Sequence, residues 1–92
     1  MRLNDRLSAE VFQMVTEGLS NIRRHTHAMQ ASIELAQRNN YVVLMIEDQG
    51  ASGSAVAPFT PRSITERATT LGGRVRVDQH EHGSAVIVEI PL

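Results

Sequence analysis

YVVLMIEDQG, residues 41–50, is the stretch that decides the fold. Its first six residues are all apolar and rich in β-branched and aliphatic side chains, the pattern of a central strand covered on both sides or nearly so. The run then closes on Asp48, an expensive place for a carboxylate unless something hydrogen-bonds it. Working backwards, RNN (38–40) is a turn, and ASIELAQ (31–37) alternates, with Ile33 and Leu35 facing one way. The two runs form a hairpin. Before it, Ser8 is a candidate N-cap for a helix running to about His27, in which Val11, Phe12, Val15, Leu19 and Ile22 make a single apolar stripe.

Working forwards, QGASGSAVAPFTP (49–61) is small, Gly-containing and closed by two prolines, long enough for a functional loop. A second helix begins near Pro61 and continues through RSITERATTL to a Gly72-Gly73 stop, with Ile64, Ala68 and Leu71 as its inner face. RVRVDQH (74–80) alternates, EHG (81–83) turns, and SAVIVEIPL (84–92) returns. The order is helix, strand, strand, loop, helix, strand, strand. Two helices on one face of a mixed four-stranded sheet give an α/β two-layer sandwich.

Ninety-two residues make one domain with one core. Aromatics are limited to Phe12, Tyr41 and Phe59, so that core is aliphatic. A formal charge of −1 gives no basic surface for nucleic acid. No apolar run approaches the roughly 18 residues of a membrane span, so direct membrane contact is not expected. The absence of cysteine excludes disulfides and thiolate metal sites, and fits the cytoplasm.

The first helix carries a polar row. Within TEGLSNIRRHTHA (16–28), Glu17, Asn21 and His25 stand at steps of four, with Arg24 beside them, on the side away from the apolar stripe. On spacing alone this is an ordinary solvated face. The paired histidines do not suggest zinc. His25 and His27 are two apart on a helix and do not face each other, while His80 and His82 lack a third ligand.

Four motifs change the weighing. EGLSN (17–21) followed by RRH (23–25) resembles the helix motif of the GHKL ATPase superfamily, which includes the ATP-binding catalytic domains of sensor histidine kinases. DQG (48–50) is similar to that family's adenine-binding Asp-x-Gly. ITERATTLGGRVRV (64–77) resembles the helix-Gly-Gly-strand segment of the kinase subgroup paired with helix-turn-helix response regulators, and HGSAVIVEIPL (82–92) resembles its closing strand. Four motifs in family order cover nearly the whole chain from about Glu10.

The resemblance implies a Bergerat-type fold that takes ATP with Mg²⁺. It implies Asn21 as the Mg²⁺ ligand through its amide oxygen, Glu17 as general base beside the γ-phosphate, Arg24 near phosphate, and His25 among the nucleotide-binding residues. Asp48 would accept from the adenine amine. Gly50 would let the chain turn against the ring, and Ser84, where the family has threonine, would reach the same edge. The partners implied are a separate dimerisation domain bearing the phosphorylated histidine and a response regulator. No phosphoacceptor hairpin precedes Ser8, so the chain is expected to be an excised catalytic domain or a stand-alone relative.

The sequence also departs from the family. Its Gly-x-Gly-Leu lid segment is replaced by Pro58-Phe59-Thr60-Pro61, and two of these residues have no N–H to offer phosphate. The second glycine after Asp-x-Gly is Ser52, with Gly53 the nearest substitute. Losing two charge-assisted backbone bonds costs roughly 3–6 kcal/mol. This departure leaves open an alternative, a degenerate non-catalytic module that docks or regulates a partner kinase. An anti-sigma-type serine kinase is a third reading, disfavoured by ITERATTLGG.

Overall fold

The computed structural model describes residues 3–25, 28–50, 62–80 and 83–92. Six elements follow in order: α1 (Asp5–His25), β1 (Ala28–Arg38), β2 (Tyr41–Gly50), α2 (Arg62–Thr70), β3 (Arg74–His80) and β4 (Gly83–Pro91). The sheet order is β1-β2-β4-β3.

Every neighbouring pair is antiparallel, whereas the sequence suggested a mixed sheet. The reason is topological. The chain leaves β2, returns along α2 and enters β3 in the same direction as β2, but one strand away. β4 then turns back from β3 into the gap, so the two parallel strands never touch. The two-layer α/β architecture itself stands. Val42, Leu44 and Ile46 of β2 lie opposite Ile90, Val88 and Val86 of β4, and all six join one core with Leu7, Val11 and Met14 of α1 and Ile64 and Ala68 of α2. Both helices therefore cover the same face. The other face of β2 is only half-buried at Val43, Met45 and Glu47, so the apolar run is not sealed on both sides.

α1 starts earlier than Ser8. The Asn4 side chain accepts from the Leu7 amide at 2.7 Å and its carbonyl accepts from the Ser8 amide at 2.9 Å, so Asn4 is the cap. Asp5 then meets the positive end of the helix dipole. The buried stripe is Leu7, Val11, Met14 and Gly18 rather than one through Phe12 and Leu19, which are 70% and 40% exposed. Gly18 explains this roll. A Cβ there would lie 2.5 Å from Ile46 Cδ1, so the missing side chain lets α1 press directly onto β2. Ile33 and Leu35, opposite Ile46 and Leu44, consequently remain 43% and 37% exposed on β1.

α2 ends at the glycine pair by a Schellman closure. Gly73 N–H donates to Ala68 O at 2.7 Å, Gly72 N–H donates to Thr69 O at 2.9 Å, and Gly72 takes φ 80°. At nine residues, α2 is too short to persist by propensity, so packing must hold it. Ile64, fully buried, is its main anchor. Ile64→Ala is expected to cost about 2–5 kcal/mol, read as a lower urea midpoint at unchanged m.

Candidate functional site

Connectivity brings Asn21, Asp48 and Ser84 to one rim. Two residues separate the end of α1 at His25 from Ala28, which pairs with Gly50 at the end of β2. Gln49 pairs with Gly83 at the start of β4. Gly18 sits over Ile46; Asn21 lies one helical turn beyond the first, and Asp48 two residues beyond the second on the same face. Both steps lead to the same rim, where α2 also begins.

Asp48 is 3% exposed. Its Oδ1 accepts from the Ser84 backbone N–H and its Oδ2 from the Ser84 hydroxyl, each at 2.8 Å. The sequence reading left adenine as the partner that would settle this carboxylate; the cross-strand residue Ser84 already does so. A carboxylate offers about four lone-pair positions, so the group can still accept from a further donor. Gly83 makes the approach possible. A Cβ there would fall 2.1 Å from Asp48 O and 2.7 Å from Asp48 Oδ1. The Gly-Ser pair of HGSAVIVEIPL carried that signal, but the glycine was read only as the end of the EHG turn and part of the closing-strand motif.

Glu17 does not stand free on a polar row. Arg67 of α2 donates from Nε to Glu17 Oε1 at 3.2 Å and from Nη1 to Glu10 Oε2 at 3.1 Å. Glu10 and Glu17 are two turns apart on one side of α1, and the guanidinium fork spans them. The Glu10 bond, more than the pull of Glu17, raises the Arg67 pKa above its ordinary value against the opposing effect of burial. The guanidinium is therefore charged across the whole working pH range. Glu17 Oε2 is buried and has no hydrogen-bond partner among the described residues. Sequence reasoning missed both Glu10 and Arg67, because nothing local links residues 50 and 57 positions apart.

Asn21 Oδ1 accepts from Arg24 Nη2 at 3.3 Å, an exposed contact one turn apart that a stronger ligand can displace. His25 closes α1, and Gly50 closes β2. Gly53, Ser52 and the Pro58–Pro61 segment lie outside the described residues. A groove of about 260 Å³ lies between Arg6 and Glu10 of α1 and Ser63, Glu66, Arg67, Thr70 and Leu71. It extends towards the start of α1 and the end of α2, away from the Asp48 rim.

No protein-family model matches the chain. Among curated proteins, it is 30% identical over 92 residues to the signal transduction histidine-protein kinase/phosphatase UhpB of Salmonella typhimurium, an alignment covering 97% of this chain and 18% of that protein. It is 29% identical to the sensor histidine kinase LiaS of Bacillus subtilis and 26% to the sensor protein VraS of Staphylococcus epidermidis, covering 89% of this chain in both cases. The chain thus spans about a fifth to a quarter of the length of these relatives. Among solved structures, the Acinetobacter baumannii histidine kinase AdeS superposes with a TM-score of 0.73 at 22% identity, covering 90% of this chain and 46% of that one. The histidine kinase domain of the Erythrobacter litoralis blue-light activated kinase EL346 superposes with a TM-score of 0.70 at 18% identity, covering 90% and 43%.

The fold is that of histidine kinase domains. In sequence the chain is similar, over nearly its whole length, to a segment of sensor histidine kinases, as its motifs indicated.

Proposed function

We propose that the chain is the ATP-binding catalytic domain of a two-component sensor histidine kinase, acting in the cytoplasm on a histidine carried by a separate dimerisation domain. The observation that carries this reading is the buried Asp48 carboxylate. It is fixed by Ser84, approached through Gly83 and left with spare acceptor positions at the rim where α1 ends. Such a group suits the exocyclic amine of adenine. Asn21, Arg24 and His25 would then serve the phosphate side of the nucleotide. Mg²⁺, held through the Asn21 amide oxygen, would neutralise phosphate charge.

In the transfer step, a ring nitrogen of the acceptor histidine bonds to the γ-phosphorus. The bond from that phosphorus to the bridging oxygen breaks, and ADP leaves with the electron pair. Glu17 orients the imidazole and takes the proton it releases. The phosphoryl group then passes to a response regulator. Residues 1–92 would act as one catalytic unit, with the phosphoacceptor on another domain.

Calorimetry with MgADP tests the reading. With the lid glycines replaced, the expected Kd is on the order of a millimolar, weaker still when EDTA removes Mg²⁺. No heat at several times that concentration would overturn it. Among the described residues no helix is long and apolar enough to cross a membrane.

A further inference from the structure

The geometry points to Arg67 as a positioning residue that sets the carboxylate of Glu17 for proton transfer. This inference rests on the catalytic reading above. Glu17 projects from α1 on a flexible three-bond side chain and needs an external brace to hold one orientation. Arg67 supplies it from α2: Nε engages Glu17 Oε1 at 3.2 Å, and Nη1 is anchored by Glu10 Oε2 at 3.1 Å.

Two features make this a directed brace rather than a simple helix-to-helix clip. First, the fork is shared between two carboxylates, so Glu10 prevents the guanidinium from rotating with Glu17. Second, only one oxygen of Glu17 is engaged. Oε2 has no hydrogen-bond partner among the described residues, and it is shielded from solvent. A purely structural ion pair gains nothing from leaving a carboxylate oxygen buried and bare, whereas a proton acceptor needs uncommitted lone pairs. The imidazole meets this carboxylate only as the acceptor domain docks and displaces what covers it. Because Arg67 belongs to the helix that follows residues 51–61, the brace also links the orientation of Glu17 to the seating of α2.

The test uses this chain with MgATP and, as acceptor, a histidine-bearing dimerisation domain of a sensor histidine kinase. Nucleotide affinity and the single-turnover transfer rate are measured separately. Arg67→Ala is expected to leave affinity within about threefold while slowing transfer by about 10²-fold, the scale of a misplaced reacting group. Glu10→Gln should slow transfer less, also at unchanged affinity. Should Arg67→Ala fail to fold, Arg67→Lys, which keeps the charge but loses the fork, carries the same test. A merely structural role would lower affinity and rate together or change neither, and either result overturns the inference while the catalytic reading stands. A wild-type chain that binds no nucleotide, or binds it and transfers nothing, overturns both.

Discussion

Gly73→Ala is expected to be among the most damaging single substitutions outside the core, costing about 3 kcal/mol or more. The added carbon would lie 2.3 Å from Glu89 O, 3.1 Å from Ile90 Cγ1 and 3.2 Å from Ala68 O. Two of these neighbours are backbone carbonyls, which cannot swing away as the end of a side chain can. The end of α2 must therefore lift off β4, and the Gly73 N–H bond to Ala68 O that closes the helix goes with it. Against a total stability of roughly 5–15 kcal/mol for a small domain, that is a large share. Gly72→Ala is the control. Gly72 has the left-handed φ of 80°, but a Cβ there meets only Pro91 Cγ at 3.6 Å. Its cost is the backbone penalty alone, about 1–2 kcal/mol. Urea titrations of the two variants separate steric exclusion from backbone conformation, and the reverse ranking would contradict this account of the α2–β4 junction.

The second large effect concerns Asp48, where one position serves both fold and ligand. Asp48→Ala removes the acceptor of two bonds from a site 3% exposed, leaving the Ser84 amide and hydroxyl without their partner. Bonds to a charged group contribute about 1.5–3 kcal/mol each, so the loss of stability is expected to reach several kcal/mol. Asp48→Asn separates the roles. Its amide oxygen can still accept from the Ser84 N–H, and its NH₂ can donate to the Ser84 hydroxyl, so unfolding should shift by no more than about 1 kcal/mol. An adenine amine, however, would now meet a donor where it needs an acceptor. Nucleotide affinity should fall about ten- to a hundredfold, read on the folded variant as loss of the calorimetric signal at concentrations where the parent chain binds. Unchanged affinity in a folded Asp48→Asn chain would remove Asp48 from the nucleotide site.

Local patterns carried much of this architecture. The apolar run of β2, the alternation of Val75 and Val77, and the Gly72-Gly73 stop all report on contacts within a few residues, and each appears where its pattern predicts. The strand directions were harder to read, because the insertion of β4 between β2 and β3 is decided by packing of the whole sheet. The roll of α1 was misread for a similar reason. Of the expected stripe, Val11 is in the core and Val15 and Ile22 pack at its edge, but the close seat of Gly18 over Ile46 rolls α1 so that Phe12 and Leu19 face outward. At the candidate site, Asp48 was legible from its cost at the end of an apolar strand. Its bonds to Ser84 and the Arg67 fork across Glu10 and Glu17 join distant parts of the chain, and side-chain identity alone does not announce such pairs.

The place of β4 also has a consequence for how the chain acquires its structure. During synthesis, the α1–β1–β2 portion can form its own hairpin contacts, but β3 has no strand to lie against until the final nine-residue strand arrives. That strand bridges both halves at once, so its docking is a late, long-range event that commits the entire molecule. Ribosome-bound chains stalled before Gly83 should accordingly be readily cleaved by protease, and acquire resistance in a single step once Pro91 has cleared the exit tunnel.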